Sequence, residues 1–263
     1  MAIMGGHVRW YEQIFALEGF LAEPTLLFGF QEIPIAARHF GWSVPETYRV
    51  PDLVQFLRAR GLNQVHVIDH FDPRADLRYD MNKAVPPSEH ERYGTLIDIG
   101  SLEHVFDTRQ ALENCLRMVR VGGTYLLHTC VKGYHLHGLH TFHPGILADA
   151  LALNGFDVVF QGYSTADGEP VQDPAQAEDA LIWLVGRKRT HLAEFVCPQQ
   201  GWEQVYATDV PASPSRIARV LAPAKRALFP FVPPIALDIY RRLRGRRRDS
   251  LVERRLRREP AGE

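Results

Sequence analysis

The segment from Tyr93 to Gly123, YGTLIDIGSLEHVFDTRQALENCLRMVRVGG, constrains the fold of this chain more than any other. It predicts a buried strand at Thr95–Ile99, a polar turn at Gly100–Asp107 and a helix at Thr108–Val119. A Gly-Gly break then precedes a second strand at Thr124–Thr129. Strands that alternate with helices favour a parallel sheet covered by helices. Such sheets bind ligands at the carboxyl ends of their strands, which is where the polar turn falls.

The same segment resembles the second half of class I S-adenosylmethionine (SAM)-dependent methyltransferases. That family often carries D-x-I-x-x-x-x-L-E-H-V-x-D, a helix, R-x-L-x-x-G-G and a strand. The matching residues are Asp98, Leu102, Glu103, His104, Val105, Asp107, Arg117, Gly122 and Gly123. The resemblance covers roughly residues 20–187. It implies a doubly wound, mostly parallel α/β sheet of seven strands with a reversed last strand (the Rossmann-like methyltransferase fold), and SAM as the cofactor.

Composition excludes several other classes of protein. Hydrophobic residues make up 46% of the chain and charged residues 23%, as in ordinary globular proteins. The net charge of −1 argues against binding nucleic acid with the whole surface. The three cysteines show no CxxC spacing, which favours unpaired thiols in a reducing compartment. No secretion signal and no apolar run of about 18 residues is present, so we expect a cytoplasmic protein.

The chain divides into three predicted parts. Residues 1–20 hold an N-terminal helix, residues 21–187 the methyltransferase-like domain, and residues 188–263 a proline-containing extension with a basic tail. Ten arginines lie between Arg241 and Arg258. They are typical either of a solvated terminus or of a basic helix that rests on the inner face of an anionic membrane. The sequence leaves the oligomeric state open.

Within the domain, hydrophobic periodicity and turn residues predict the remaining elements. Helices are expected at 31–40, 51–60 and Pro144–Asn154. The predicted strands are Thr25–Phe28, Gln64–Asp69, a short one at Ala75–Tyr79, Phe156–Tyr163 and Asp179–Gly186.

The turn after the first strand holds one glycine where typical family members have three. It reads Phe28-Gly29-Phe30-Gln31-Glu32. A subgroup with L-G-x-Q at this turn is a closer match, and it implies that Gly29, Phe30 and Gln31 contact the cofactor. Without that role, the turn only connects a strand to a helix.

Two acids are the candidates for reading the nucleoside. Asp69 ends the second strand, where the resemblance implies an acid that binds the ribose, and His70 and Asp72 are alternatives. Asp80 and Met81 resemble the residues that flank the adenine. The alternatives are a cap or turn for Asp69 and an Asx turn for Asp80.

The candidates nearest to the chemistry follow the next two strands. The resemblance implies backbone contacts from Gly100 and Ser101. His104 is the predicted general base, because an imidazole titrates near neutral pH, unless the Glu-His pair only braces the loop. Substrate-facing His137 follows from a G-Y-x-x-H-G segment shared with similar methyltransferases, with His140 as second choice.

Five histidines between positions 128 and 143 invite a metal-site interpretation. They are His128, His135, His137, His140 and His143. Their spacing matches no HExxH or flanking CxxC pattern, so no metal is predicted.

Three functions remain open. The first is SAM-dependent methyl transfer, expected at oxygen, to a small-molecule, sugar or lipid-linked glycan acceptor. The second is a non-catalytic methyltransferase-fold scaffold or membrane-docking protein, which the loss of glycines favours. The third and weakest is a metal-dependent hydrolase built on the histidine loop.

Overall fold

The computed structural model describes residues 5–33 and 52–199. The predicted helix over 31–40 and the arginine tail therefore lie largely or wholly outside the described residues. The helices are α1 (Val8–Phe15), α2 (Leu53–Ala59), α3 (Thr108–Met118) and α4 (Pro144–Leu153). The strands are β1 (Thr25–Phe28), β2 (Val65–Ile68), β3 (Tyr93–Ile99), β4 (Val119–Lys132), β5 (Phe156–Ser164) and β6 (Ala180–Lys188).

These strands form one mostly parallel sheet in the order β2-β1-β3-β4-β6-β5. β1 to β4 pair in parallel, whereas β6 lies between β4 and β5 and is antiparallel to both. The predicted α/β fold with a reversed last strand is therefore confirmed. β1 and the antiparallel pairing of the strand predicted at Asp179–Gly186 were both recognisable in the sequence.

The strand predicted at Ala75–Tyr79 is wrong, so the described residues contain six strands rather than seven. Only a single parallel bridge joins Leu77 to Ile68 beside β2. The carboxylate of Asp76 accepts the backbone N–H of Val67 at 2.8 Å, which takes a ladder donor away from the neighbouring backbone. The side chain thus replaces the backbone pairing that would have extended this strand.

The sequence suggested that the Gly-Gly pair separates α3 from β4, and this prediction is wrong. β4 begins at Val119, directly after the helix, and the pair forms a bulge inside the strand. Gly122 has φ +81°, and a Cβ on Gly123 would lie 2.7 Å from the Gly94 carbonyl oxygen. Glycine is required here because the bulge brings two backbones together.

Helices cover both faces of the sheet, as expected of a doubly wound fold. One core packs α3 and α4 against the sheet, with Leu116 and Leu151 fully buried. The other packs α1 and α2, with Ile14 and Leu57 fully buried. Most polar turns are left at the ends of the strands, where ligands can reach them.

Side chains fix where three of the helices begin. Asp52 caps α2 by accepting from the Gln55 N–H, so the helix starts two residues after Pro51, the start that the sequence suggested. Asp107 caps α3 in the same way, and the Nδ1 of His143 accepts the Gly145 N–H at the start of α4. Each cap satisfies a backbone donor that has no partner inside its helix.

In the described ranges 5–33 and 52–199, no helix combines the length and the apolar character that crossing a bilayer requires. The division at residues 20 and 187 stays a prediction. Membrane contact through the tail involves residues outside the described ranges.

Candidate functional site

A cavity opens at the carboxyl edge of the sheet, where the turns after β1, β2 and β3 meet. Its volume is about 730 Å³, within the range of roughly 300–1,000 Å³ found for small-molecule sites. The lining residues are Phe28, Gly29, Phe30, Gln31, Glu32, Asp69, His70, Phe71, Tyr79, Asp80, Met81, Asn82, Gly100, Ser101, His104, Val105, Phe106 and Leu139. All eight residues predicted to contact the cofactor are among them, together with His104.

The turn after β1 depends on its single glycine. Gly29 has φ +83°, and a Cβ there would lie 2.4 Å from the Ser101 Oγ. The Ser101 hydroxyl donates to the Phe28 carbonyl at 2.6 Å, and the buried Gln31 amide donates to the Ser101 Oγ at 3.4 Å. The turns after β1 and β3 are therefore held together by side chains.

Asp69 is a turn-stabilising residue as well as a cavity residue. Its Oδ1 accepts the backbone N–H groups of Phe71 and Asp72 at 2.9 and 3.1 Å. Its Oδ2 accepts the Phe30 N–H at 3.2 Å. A carboxylate offers about four acceptor sites, so roughly one remains for a ligand hydroxyl. The cap interpretation thus describes contacts that are present, and ribose binding stays a prediction.

Phe30 does not close the cavity. Its ring packs against the core under α1 and α2, and the Arg74 guanidinium lies 3.6 Å from the ring centroid. Arg74 also pairs with Asp72 at 2.6 Å. Its hydrogen bond lowers the pKa of Asp72 to about 2. Because Asp72 is already paired with Arg74, it is a weaker candidate than Asp69 for the ribose.

Asp80 forms the Asx turn that the sequence offered as an alternative. Its Oδ1 accepts the backbone N–H and the side-chain amide of Asn82 at 3.0 and 2.8 Å, and these bonds lower the pKa of Asp80. Lys83 pairs with the other oxygen at 3.3 Å. Asp80 still lines the cavity beside the buried Met81. An adenine contact remains a prediction for both residues.

Sequence reasoning missed Asn114, which positions this loop from α3. Its side-chain amide donates to the carbonyls of Met81 and Lys83 at 3.3 and 2.8 Å, and its Oδ1 accepts the Val85 N–H at 3.1 Å. The side chain is almost completely buried. The available signal was a polar residue next to Cys115 on the apolar face of a predicted helix.

Two acids are fully buried beneath the cavity. Asp98 is the residue before the end of β3, and it accepts from the Ser101 N–H at 3.0 Å and from the Tyr125 hydroxyl at 3.2 Å. Burial, together with the nearby charge of Glu103, raises the pKa of Asp98 to about 8. The Oε2 of Glu103 accepts the Thr129 hydroxyl at 2.8 Å. The acids of the Asp98–Glu103 segment thus face the protein interior.

The predicted catalytic residues lie side by side. The rings of His104 and His137 are 5.2 Å apart between centroids, although only His104 is among the residues that line the cavity. Burial lowers the pKa of His104, which favours the neutral imidazole at neutral pH. A neutral imidazole can accept a proton or bind a metal ion.

The histidine loop does not gather its five imidazoles. His128 is buried in β4, where it stacks on Trp183 at 3.7 Å and its Nδ1 lies 3.2 Å from the Tyr11 hydroxyl. His143 caps α4, and the Nε2 of His140 lies 3.1 Å from the Phe106 carbonyl. Of these five imidazoles, only that of His137 lies in a cluster with the side chains of Glu103 and His104 from the preceding turn.

No protein-family model matches the sequence, and no curated protein is significantly similar to it. Solved structures with a similar fold include three methyltransferases.

The Burkholderia thailandensis 1,6-didemethyltoxoflavin-N1-methyltransferase, with bound 1,6-didemethyltoxoflavin and S-adenosylhomocysteine, is 14% identical over 70% of this chain and 79% of its own, with a TM-score of 0.45. A SAM-dependent methyltransferase from Mesorhizobium loti is 14% identical over 70% and 98%, also at 0.45. The glycopeptide N-methyltransferase MtfA, complexed with SAM, is 12% identical over 71% and 95%, at 0.44.

Proposed function

We propose that this protein is a SAM-dependent methyltransferase that acts on a small-molecule, sugar or lipid-linked glycan acceptor, at oxygen. The observation that carries the proposal is the convergence of Gly29–Gln31, Asp69, Asp80–Met81 and Gly100–Ser101 on one cavity. These four segments come from the three connections that follow β1, β2 and β3. A nucleoside ligand at the carboxyl edge of such a sheet needs close backbone approach, an acid for its ribose and a polar group for its base, and these segments offer all three.

The residues that are present fit this cofactor. When bound, SAM supplies a methyl group already activated by its sulfonium, so the protein's main task is to position donor and acceptor. Gly29 and Gly100 have positive φ angles, a conformation that favours glycine. Two turns that line the cavity therefore carry no side chain at these positions. The remaining acceptor site of Asp69 serves a ribose hydroxyl, and the ionised Asp80 accepts from an exocyclic amine.

An oxygen acceptor must also lose a proton. His104 lines the cavity, its lowered pKa keeps it unprotonated at neutral pH, and His137 adjoins it. We assign proton removal from the acceptor to these two histidines. Phe71 and Phe106 also line the cavity and are 87% and 78% exposed. This apolar rim favours an acceptor that carries an apolar portion, as a lipid-linked glycan does.

Calorimetry with SAM and S-adenosylhomocysteine tests the proposal. We expect micromolar binding by the wild-type protein and at least about tenfold weaker binding by Asp69→Ala, the equivalent of about 1.4 kcal/mol. Asp69→Asn keeps one side-chain oxygen that can accept the backbone N–H groups of the turn. Comparing it with Asp69→Ala therefore separates the loss of ribose binding from the loss of the turn conformation. Asp72→Ala is the matched control and should bind with nearly wild-type affinity.

Absence of binding to the wild-type protein at millimolar ligand would contradict the proposal and favour the scaffold hypothesis. One observation supports that alternative: Asp69 already accepts three backbone N–H groups. In a scaffold, this carboxylate would be needed for the turn alone. Asp69→Ala would then lower the melting temperature, and neither the variant nor the wild-type protein would bind SAM.

A further inference from the structure

Glu103 holds a carboxylate oxygen that has no hydrogen-bond partner among the described residues. The side chain is fully buried, and only its Oε2 receives a donor, the Thr129 hydroxyl at 2.8 Å. A buried carboxylate that lacks a partner is costly, because its charge is removed from water. Such an oxygen is expected where a ligand supplies the missing positive charge.

The unpaired oxygen faces two imidazoles. The Nε2 of His137 lies 3.8 Å from the Glu103 Oε1. One ligand atom from each of Glu103, His104 and His137 can be chosen so that all three lie within 4.8 Å of one another. Both histidines are exposed, and His104 also lines the cavity. Because their rings are free to rotate, the three ligand atoms can come within reach of one ion with bonds of about 2.0–2.2 Å.

The backbone holds this cluster in place. The Glu103 carbonyl accepts the N–H groups of Leu139 and His140 at 2.9 and 3.2 Å, which joins the histidine loop to the turn after β3. A Cβ on Gly138 would lie 2.9 Å from the Glu103 Cγ, so the loop approaches this closely only with glycine there. Leu136, next to His137, has φ +69°, a conformation that is unfavourable for a non-glycine residue.

We infer that Glu103, His104 and His137 form a binding site for a divalent transition-metal cation such as Zn²⁺. Two imidazoles and one carboxylate make a donor set that suits zinc and iron, and three protein ligands leave coordination positions open. Thr129 would orient the carboxylate from the second layer of contacts. The sequence predicted no metal, because the spacing of the five histidines matches no known metal-binding pattern and Glu103 and His104 lie outside that segment.

The use of the cation rests on the proposed function, whereas its binding does not. A hydroxyl oxygen coordinated at an open position would release its proton to water more readily. The oxygen would then form the bond to the methyl carbon as the carbon–sulfur bond breaks, leaving S-adenosylhomocysteine. The two histidines would in that case promote proton loss as ligands rather than by accepting the proton themselves.

Metal titration of the full-length protein tests the site directly. Chelator-treated protein is titrated with Zn²⁺ by calorimetry and with Co²⁺ by visible absorption, without SAM. We expect one ion per chain and Co²⁺ bands of a mixed nitrogen and oxygen site. His137→Gln and His104→Gln should each weaken binding by at least about tenfold, since even the loss of an outer-layer contact commonly costs that much.

His135→Gln is the matched control, because this exposed histidine lies in the same loop but outside the cluster. It should bind zinc like the wild type, and the melting temperatures of all three metal-free variants should match. No binding at micromolar Zn²⁺, or equal weakening by His135→Gln, would overturn the site. SAM binding is measured on the same preparation. SAM binding without zinc binding would overturn the metal site and leave the proposed function standing.

Discussion

The two sides of the cavity differ in how completely their polar groups are paired. On the side where the turns after β1, β2 and β3 meet, Gln31, Asp69 and Ser101 form hydrogen bonds within the protein. On the other side, next to His104 and His137 but outside the cavity lining, Glu103 and Tyr134 each bury an oxygen that lacks a partner among the described residues. The first side is stabilised before any ligand arrives. The second side keeps unpaired groups, a pattern expected where function rather than stability determines the residues.

The largest effect on SAM binding is expected from Gly29→Ala, on the side of the cavity whose polar groups are paired. The added Cβ would meet the Ser101 Oγ at 2.4 Å while φ is +83°, so the turn must move. We expect SAM binding to weaken by at least about 100-fold, the equivalent of about 2.7 kcal/mol. Gly61→Ala is the control, since Gly61 has φ +95° but no atom within 4 Å of the new Cβ. Wild-type affinity in Gly29→Ala would show that the turn does not shape the site.

The buried Asp98 beneath the cavity predicts how the free energy of unfolding depends on pH. Because burial raises its pKa to about 8, the folded carboxyl keeps its proton while the unfolded one ionises above about pH 4. The stability contributed by this group is therefore present at low pH and is lost as pH rises from about 4 to about 8, at up to about 1.4 kcal/mol per unit.

Asp98→Asn should remove this dependence. Denaturation with urea at about pH 5 and about pH 8 should show the variant gaining stability relative to the wild type at the higher pH. The asparagine keeps an acceptor for the Ser101 N–H, so the turn after β3 should persist. A stability difference that does not change with pH would mean that the native carboxyl is already ionised at low pH.

A smaller loss is expected from Thr129→Val on the less completely paired side. The substitution removes the hydroxyl that donates to Glu103 at 2.8 Å and leaves both carboxylate oxygens without a donor among the described residues. We expect the free energy of unfolding to fall by about 1–3 kcal/mol. Thr129→Ser restores the hydroxyl and should recover most of the loss. Equal stability of the valine variant and the wild type would contradict the assigned contact.

The smallest effect is expected from Tyr134→Phe. Its buried hydroxyl has no partner within residues 5–33 and 52–199, so removing it discards no hydrogen bond. The free energy of unfolding should change by less than about 0.5 kcal/mol or rise. A loss above about 1 kcal/mol would show that the hydroxyl has a partner and that the contrast between the two sides is weaker than described.

The parts of the fold that the sequence predicted are those in which neighbouring residues decide the structure. β1 matched its predicted bounds, Thr25–Phe28, because a proline and a glycine flank a short apolar run. The short strand at Ala75–Tyr79 was wrong because the Asp76 side chain competes for a backbone donor. No periodicity reveals such a competition.

The site follows the same rule. The candidates for cofactor binding could be placed near one another, because parallel strands end at one edge of the sheet. Asn114 could not be assigned to the 81–85 loop, since its partners lie about thirty positions away. The pairing of Glu103 with His137 likewise depends on a loop conformation that glycine at position 138 permits.

The place of β6 in the sheet has a consequence during synthesis. Among the strands of the described residues, β6 is the last to leave the ribosome, yet it lies between β4 and β5. Until residues 180–188 emerge, those two strands keep unpaired edges of the kind that other chains can join. Since domains fold as units during translation, the cavity cannot reach its final form on a nascent chain shorter than this. A premature stop before residue 180 would therefore yield an aggregating product rather than a folded protein with a weakened site.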